Sequence, residues 1–304
     1  MADVYVPQTL EDAVGFLSGR AGAAMPIAGG TDVLIDTRMG RADPEWLVDL
    51  SPLGSLGGLE LSDETLRIGA LTRIRTLELD PGLARRATAI VEAARVLGSI
   101  QIRTMATLGG NLCHATPSAE LPPALLVHDA VAEVTGPEGS RELPLAELFA
   151  GPGKTTLAPG DLLTGVRATP SRSTGGSCYL RQTVRWSMDL AGVGVAASVE
   201  AADGVVRSAR VALGAVAPVP MLAHEAANAV EETEMTPEAL DRAGALAAAV
   251  CSPISDARGT AEYRREVVAV LTARALRIAW LRAMGSWPEG VLARPNGLLS
   301  EDGP

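Results

Sequence analysis

Residues 101–113 read Gln101-Ile102-Arg103-Thr104-Met105-Ala106-Thr107-Leu108-Gly109-Gly110-Asn111-Leu112-Cys113, and a shorter echo stands earlier as Ala28-Gly29-Gly30-Thr31-Asp32. Each stretch sets a glycine pair beside hydroxyl or amide side chains. Glycine has no Cβ, so backbone N–H groups there can approach an anion closely. Successive N–H groups can form a concave nest for phosphate oxygens. Thr31, Thr107 and Asn111 could add hydrogen bonds, and two such loops could grip a dinucleotide's two phosphates from either side. A single Gly-Gly pair is usually only a turn, so the surrounding chain has to supply the rest.

Working outward, the pattern is α/β. Val4-Tyr5-Val6 is strand-like, and Thr9 can cap a helix carrying Glu11 and Asp12 in its first turn and Leu10, Val14 and Leu17 on one face. Met25 to Ala28 leads into the first glycine pair, a short helical stretch follows through Asp36, and Trp46 to Leu50 is another strand. Leu59–Leu61 and Leu66–Ile68 flank a polar turn and predict a hairpin. Residues 82–97 have helical spacing, 98–123 read as a glycine-bearing loop, 131–134 as a strand and 144–149 as a short helix. The Pro/Ser/Gly-rich run 169–176 marks a boundary. Beyond it, Val193–Glu200 and Val205–Leu213 predict a hairpin turning at Asp203-Gly204, then helices from Met221, from Thr236 and from about Thr260 to Ala283. The Pro- and Gly-rich stretch 286–304 reads as a flexible tail.

Composition removes several function classes. A net charge of −10 opposes general binding to phosphate backbones, so no nucleic-acid partner is expected. Cys113, Cys178 and Cys251 are far apart, form no CxxC and cannot hold an iron–sulfur cluster. His114, His128 and His224 lack metal-ligand spacing, so no metal site is expected. No apolar run approaches a membrane span, and the first residues lack a signal-peptide pattern; the expectation is a cytoplasmic protein. Gly192-Val193-Gly194-Val195-Ala196-Ala197 fits G-x-G-x-x-A, but a dinucleotide fingerprint needs a strand before it and a helix after it. Here a hairpin follows, so these glycines read as packing positions in a strand.

The two glycine segments resemble the flavin loops of the medium flavoprotein subunit of the xanthine dehydrogenase and carbon monoxide dehydrogenase family. The resemblance continues through Ala115-Thr116-Pro117-Ser118-Ala119-Glu120, Pro123–Leu126, Gly151-Pro152-Gly153-Lys154-Thr155 and Pro159–Leu163. In the second half, Arg185, Asp189 and Ala191, then Ser255–Gly259 and Ala261–Arg264, are similar to the same family's C-terminal domain. The similarity spans roughly residues 3 to 285, and the long second segment is its most specific part.

The resemblance implies an α+β protein. Two α/β subdomains (about 1–54 and 55–172) would form a PCMH-type FAD-binding domain over 1–172. A C-terminal flavoprotein domain over 175–285 would carry a three-stranded antiparallel sheet and helices. It implies FAD as cofactor, with Ala28, Gly29, Gly30, Thr31 and Asp32 at the pyrophosphate and Thr107, Gly109, Gly110 and Asn111 on its other side. Leu108 would lie against the isoalloxazine, Ser118 and Glu120 would reach the ribityl chain or phosphates, and Tyr179 and Arg181 would approach the ring. No catalytic acid or base on this chain is required. The partners implied are a molybdopterin-binding large subunit, which oxidises the substrate, and a 2Fe–2S small subunit, which relays electrons to FAD. Three positions depart from common family usage: Glu120 stands where many relatives have Asp, His114 where Asn is usual, and Arg181 where some carry Lys. A stand-alone FAD-dependent oxidoreductase and a non-catalytic flavin-binding scaffold are the alternatives, since a fold alone does not fix function.

Overall fold

Short apolar runs alternating with capped helices build the first unit. The structure, a computed structural model, describes residues 2–185, 188–288 and 291–297. Strand β1 (Asp3–Tyr5) leads to α1 (Leu10–Ser18), whose Thr9 hydroxyl accepts the Asp12 N–H as expected of an N-cap. Then come β2 (Ala24–Ile27), α2 (Val33–Arg38) and β3 (Trp46–Asp49). β1 and β2 both pair parallel with β3, giving the order β1-β3-β2. The first glycine pair therefore leaves the carboxyl end of β2 and enters α2, where parallel sheets commonly hold ligands.

The second unit is an antiparallel sheet, order β4-β5-β10-β6-β7, filled on one side by helices. Its strands β4 (Leu59–Leu61) and β5 (Leu66–Gly69) form the expected hairpin. Six helices then intervene: α3 (Ile74–Leu79), α4 (Pro81–Arg86), α5 (Thr88–Val96), α6 (Ile100–Met105), α7 (Leu108–His114) and α8 (Leu121–Leu126). β6 (Val131–Gly136), β7 (Gly139–Pro144), a 3-10 turn at Leu145–Leu148, the small hairpin β8 (Phe149–Gly151)/β9 (Lys154–Thr155) and β10 (Leu162–Ala168) complete it.

The last unit contains β11 (Gly175–Gln182), β12 (Val193–Ala202), β13 (Val205–Gly214) and β14 (Met221–Leu222), all antiparallel. Three strands are long; β14 adds only two residues at the edge. Helices α9 (His224–Asn228), α10 (Pro237–Val250) and α11 (Ala261–Ala283) follow. Thr236 and Thr260 cap the last two with their hydroxyls. Gly194 does lie in a strand: a Cβ there would stand 2.8 Å from the Tyr179 hydroxyl oxygen.

Four local expectations change. Residues 82–97 are two helices, broken at Ala87, whose φ of −150° leaves the helical region. The stretch 98–123 is not a loop but holds α6, α7 and the start of α8. Met221 opens a strand, and the helix begins at His224. The stretch 286–304 is not wholly a free tail. Trp287 is buried, Ala293 donates its N–H to Glu92 Oε1 at 2.7 Å, and Arg181 donates its N–H to the Pro295 carbonyl at 2.6 Å. Residues 289–290 and 298–304 lie outside the described residues.

Glu92 on α5 ties the units together. Its Oε1 accepts from Arg282 Nη2 (2.6 Å) and Ala293 N; its Oε2 accepts from Tyr179 N (2.8 Å) and Arg282 Nη1 (3.3 Å). His128 makes a second tie. Its Nδ1 pairs with the Thr169 carbonyl at 2.9 Å, so Nδ1 carries the proton and Nε2 accepts from the Ser177 hydroxyl at 3.2 Å.

Burial pushes the His128 imidazole down to about 4 from 6.5. The folded state thus resists a proton that the unfolded chain takes up below about 6.5. Stability is full above that pH and is lost as pH falls toward 4, by on the order of 3 kcal/mol. Urea unfolding at pH 7 and pH 4.5 is expected to show a larger acid loss in the wild type than in His128→Gln. Equal losses would mean that the imidazole is not held neutral. Glu120, pushed up to about 7, works in the opposite sense: its contribution is present below its unfolded value of 4.5 and lost as pH rises through 7. It is present in both proteins and leaves the comparison unaffected.

Candidate functional site

The first loop leaves an unusual set of donors free. Leu34 donates to the Gly30 carbonyl and Asp36 to that of Asp32, so the loop's acceptors serve α2. Among the described residues, the backbone N–H groups of Gly29, Gly30, Thr31 and Asp32 donate to nothing. Gly30 has φ +70°, the left-handed geometry that turns consecutive N–H groups toward one side. Asp32 is exposed and makes no side-chain cap bond; the Thr31 hydroxyl lies 3.5 Å from its Oδ2.

The second loop is built differently. Leu108 N donates to Thr72 O (2.9 Å), Gly109 N to Ala70 O (2.8 Å), Gly110 N to the Thr107 hydroxyl (3.1 Å) and Asn111 N to Thr107 O (3.0 Å). These N–H groups are not available as a nest. What the segment can present is the Thr107 hydroxyl proton, the exposed face of Gly110, and Asn111, whose Oδ1 is buried without a partner. The glycines serve separate ends. A Cβ at Gly109 would meet Ala70 at 2.8 Å, whereas one at Gly110 would meet only Thr107 Oγ at 3.0 Å.

The two loops touch. A Cβ at Gly29 would fall 2.1 Å from the Met105 carbonyl oxygen and 3.0 Å from Ala106 Cα. His114, at the end of α7, reaches back across the join, with Nε2 3.3 Å from Asp36 Oδ2 and Nδ1 4.0 Å from Asp32 Oδ1. Arg73 donates to the Met105 carbonyl and bridges Thr107 from the other side. The third segment, 151–155, joins where Gly153 N donates to Ala115 O at 2.9 Å. Ala115 is itself left-handed (φ +52°) and ends α7.

Several sequence-picked residues face inward instead. Leu108 is fully buried in the core of the second unit. Tyr179 and Arg181 are each 2% exposed. Arg181 Nη1 sits 2.6 Å from Glu120 Oε1 in a buried ion pair. Burial pushes the Glu120 carboxyl up to about 7, against the opposing pull of the Arg181 guanidinium. Ser118 is half-buried, 3.3 Å from the Thr116 hydroxyl. Cys113 is part-exposed, yet desolvation of its thiol pushes it up to about 12, which keeps it protonated at neutral pH.

Other motif residues are structural. Arg103 is buried between Glu78 (2.6 Å) and the Leu97 carbonyl (3.0 Å), fixing α6 to α3. Arg264 joins Asp256 (2.6 Å) to the Gly192 and Ala215 carbonyls. Sequence reasoning missed Ala70, Thr72 and Arg73; a run following a β-strand carries no signal that its carbonyls will hold the start of a helix at Leu108 and Gly109.

These units have known counterparts. Residues 1–168 match the sequence model of the FAD binding domain in molybdopterin dehydrogenase, and residues 178–279 that of the CO dehydrogenase flavoprotein C-terminal domain. The architecture and loops thus define a flavoprotein subunit of the molybdopterin dehydrogenase class. The carbon monoxide dehydrogenase medium chain of Afipia carboxidovorans is 34% identical over 281 residues, covering 92% of this chain and 97% of its own length. The xanthine dehydrogenase FAD-binding subunit of Escherichia coli O157:H7 is 30% identical over 286 residues, covering 93% and 98%. A solved structure of carbon monoxide dehydrogenase from Hydrogenophaga pseudoflava superposes with TM-score 0.89 at 29% identity, covering 92% of this chain and 98% of that one. The chain belongs to the family of FAD-binding oxidoreductase subunits typified by the carbon monoxide dehydrogenase medium chain and the xanthine dehydrogenase flavin subunit. No helix among the described residues is long and apolar enough to cross a membrane.

Proposed function

We propose that this chain holds FAD across its two loops and passes electrons through it, from 2Fe–2S clusters on a small partner subunit to an acceptor. A molybdopterin-binding large subunit would complete the complex, working in the cytoplasm. The observation that carries the reading is the run of four unpaired N–H groups from Gly29 to Asp32, pressed against Met105 and Ala106. The residues fit the group: a nest of free N–H donors suits a pyrophosphate, and the orphaned Asn111 Oδ1 suits a ligand donor such as a hydroxyl.

Bound FAD supplies reversible one- and two-electron redox chemistry. The protein's part is binding and orientation. Gly29, Gly30 and Thr31 would donate backbone N–H bonds to phosphate oxygens, and Thr107 would add its hydroxyl proton. Asp32 is a carboxylate and would repel phosphate, so its N–H serves the anion while its side chain turns toward His114 or a ribose hydroxyl. Ala28 would lie beside the nest, and Ser118 is the residue of its segment left half-open to a ribityl hydroxyl. Glu120, Tyr179 and Arg181 would act from beneath, by fixing α8 against β11.

The absorbance spectrum of the purified chain tests this, with acid release of any cofactor. Flavin bands and free FAD are expected. Gly110→Val is expected to remain folded, since a side chain there meets only Thr107 Oγ, yet to lose most of its flavin because the branch covers the exposed face of α7. A folded but colourless wild type that takes up no added FAD, alone or with partner subunits, would overturn the reading. A variant as yellow as the wild type would remove Gly110 from the site.

A further inference from the structure

Between α5, β11 and the strap Leu292–Pro295 lies a cavity of about 250 Å³. Its wall is cationic in a chain of net charge −10: Arg95, Arg181 and Arg294 line it, with Glu92 as the one carboxylate. Glu92 is already neutralised by Arg282 and accepts from four N–H groups, so it leaves little field to repel an anion. Arg95 and Arg294 make no ion pair among the described residues.

Two residues of the wall carry buried polar atoms without a partner. Arg181 is 2% exposed; its Nη1 is engaged by Glu120 and by the Asp189 carbonyl (3.1 Å), but its Nε has no acceptor. The Tyr179 hydroxyl is equally unpaired. Neither atom is open to a water molecule, so both stand behind the wall; the guanidiniums a ligand in the cavity can reach are those of Arg95 and Arg294, both exposed. At ~30 Å³ per water, the space holds roughly eight waters. That accommodates one phosphate-sized group with its first waters, not a dinucleotide. The strap is held from both ends by Ala293 N to Glu92 and by Arg274 Nη1 to the Asn296 carbonyl (2.8 Å), so the roof is part of the fold.

We propose that this cavity binds an oxyanion of the phosphate class, held by Arg95 and Arg294 beneath the strap Leu292–Pro295, with the Arg181 charge behind the wall. The group could be free phosphate or the phosphate end of a mononucleotide whose nucleoside stays outside.

The test is thermal unfolding of the full chain in its FAD-loaded state, so that the flavin loops are filled. Inorganic phosphate is titrated against chloride at matched ionic strength, and adenosine monophosphate is titrated separately. The wild type is expected to show a saturable rise in Tm with phosphate. Arg95→Gln/Arg294→Gln is expected to need about tenfold more phosphate for the same rise, because both reachable guanidiniums are gone. Should the double variant fold poorly, Arg95→Gln alone, on an exposed position of α5, is expected to show an intermediate loss. A nucleotide response matching or exceeding that to phosphate assigns the site to a nucleotide-borne group; a response to phosphate alone assigns it to the free ion. No phosphate-dependent rise, or the same rise in wild type and variants, would overturn the proposal. The wild-type-to-variant contrast reads this cavity even if the flavin reading fails, since Arg95 and Arg294 belong to no part of the loops.

Discussion

A Gly29→Val protein is expected to purify without flavin and with lowered stability, the largest effect of any single change in the loops. The Cβ alone would sit 2.1 Å from the Met105 carbonyl oxygen and 2.7 Å from its carbon. Both are backbone atoms at the end of α6, and α6 is locked to α3 by the buried Arg103–Glu78 pair. The clash cannot be relieved by a rotamer change; the loops must separate. Overpacking of this kind costs about 1–3 kcal/mol, more where backbone must move. Separation also breaks the His114 bridge to α2. The flavin-to-protein ratio and urea unfolding check both parts. A Gly29→Val protein with wild-type flavin content would mean that the contact between loops is incidental to binding.

The second large effect belongs to Glu92→Ala. Its removal leaves Arg282, whose side chain is 9% exposed, without its counter-ion and strands the N–H groups of Tyr179 and Ala293. Breaking a buried pair by deleting one partner costs about 3–5 kcal/mol. Because the carboxylate also anchors Ala293, the strap should loosen together with the domain junction. Hydrogen exchange at residues 291–297 and denaturant unfolding measure the two consequences. A variant that lost stability with no added exchange in the strap would mean that Pro295 and Asn296 anchor the strap unaided.

What was legible in the sequence was local. Thr9, Thr236 and Thr260 announce helix starts because a hydroxyl accepting an N–H three residues on needs no help from the rest of the chain. The Asp203-Gly204 turn is equally self-contained, both residues having positive φ. Helices α6 and α7 were missed because each is under two turns long and α7 contains a glycine pair. Carbonyls of Ala70 and Thr72 help hold α7 in place, since its own buried apolar side chains are only Leu108 and Leu112. The same tether consumes the Gly109 N–H, and the Thr107 hydroxyl takes that of Gly110, so only one of the two loops is a nest. The inward turn of Tyr179 and Arg181 was likewise invisible, since it depends on Glu120 and on a carbonyl from Pro295. A Pro- and Gly-rich stretch looks like a tail when an anchor such as Glu92 lies 201 residues away.

The clamp at Glu92 also has a timetable. Its ion-pair partner Arg282 lies 190 residues further along the chain. At about 5–20 residues per second of synthesis, roughly 10–40 s pass between the emergence of the two. Tyr179, whose N–H the carboxylate also accepts, is made 87 residues after Glu92 and so within that interval, whereas Arg282 and the strap's Ala293 come only at its end. The Glu92 carboxylate in the nascent flavin domain therefore stays hydrated until Arg282, at the end of α11, and the strap close it off. The ribosome, and not only the final contact map, sets the order in which the halves of this molecule become one.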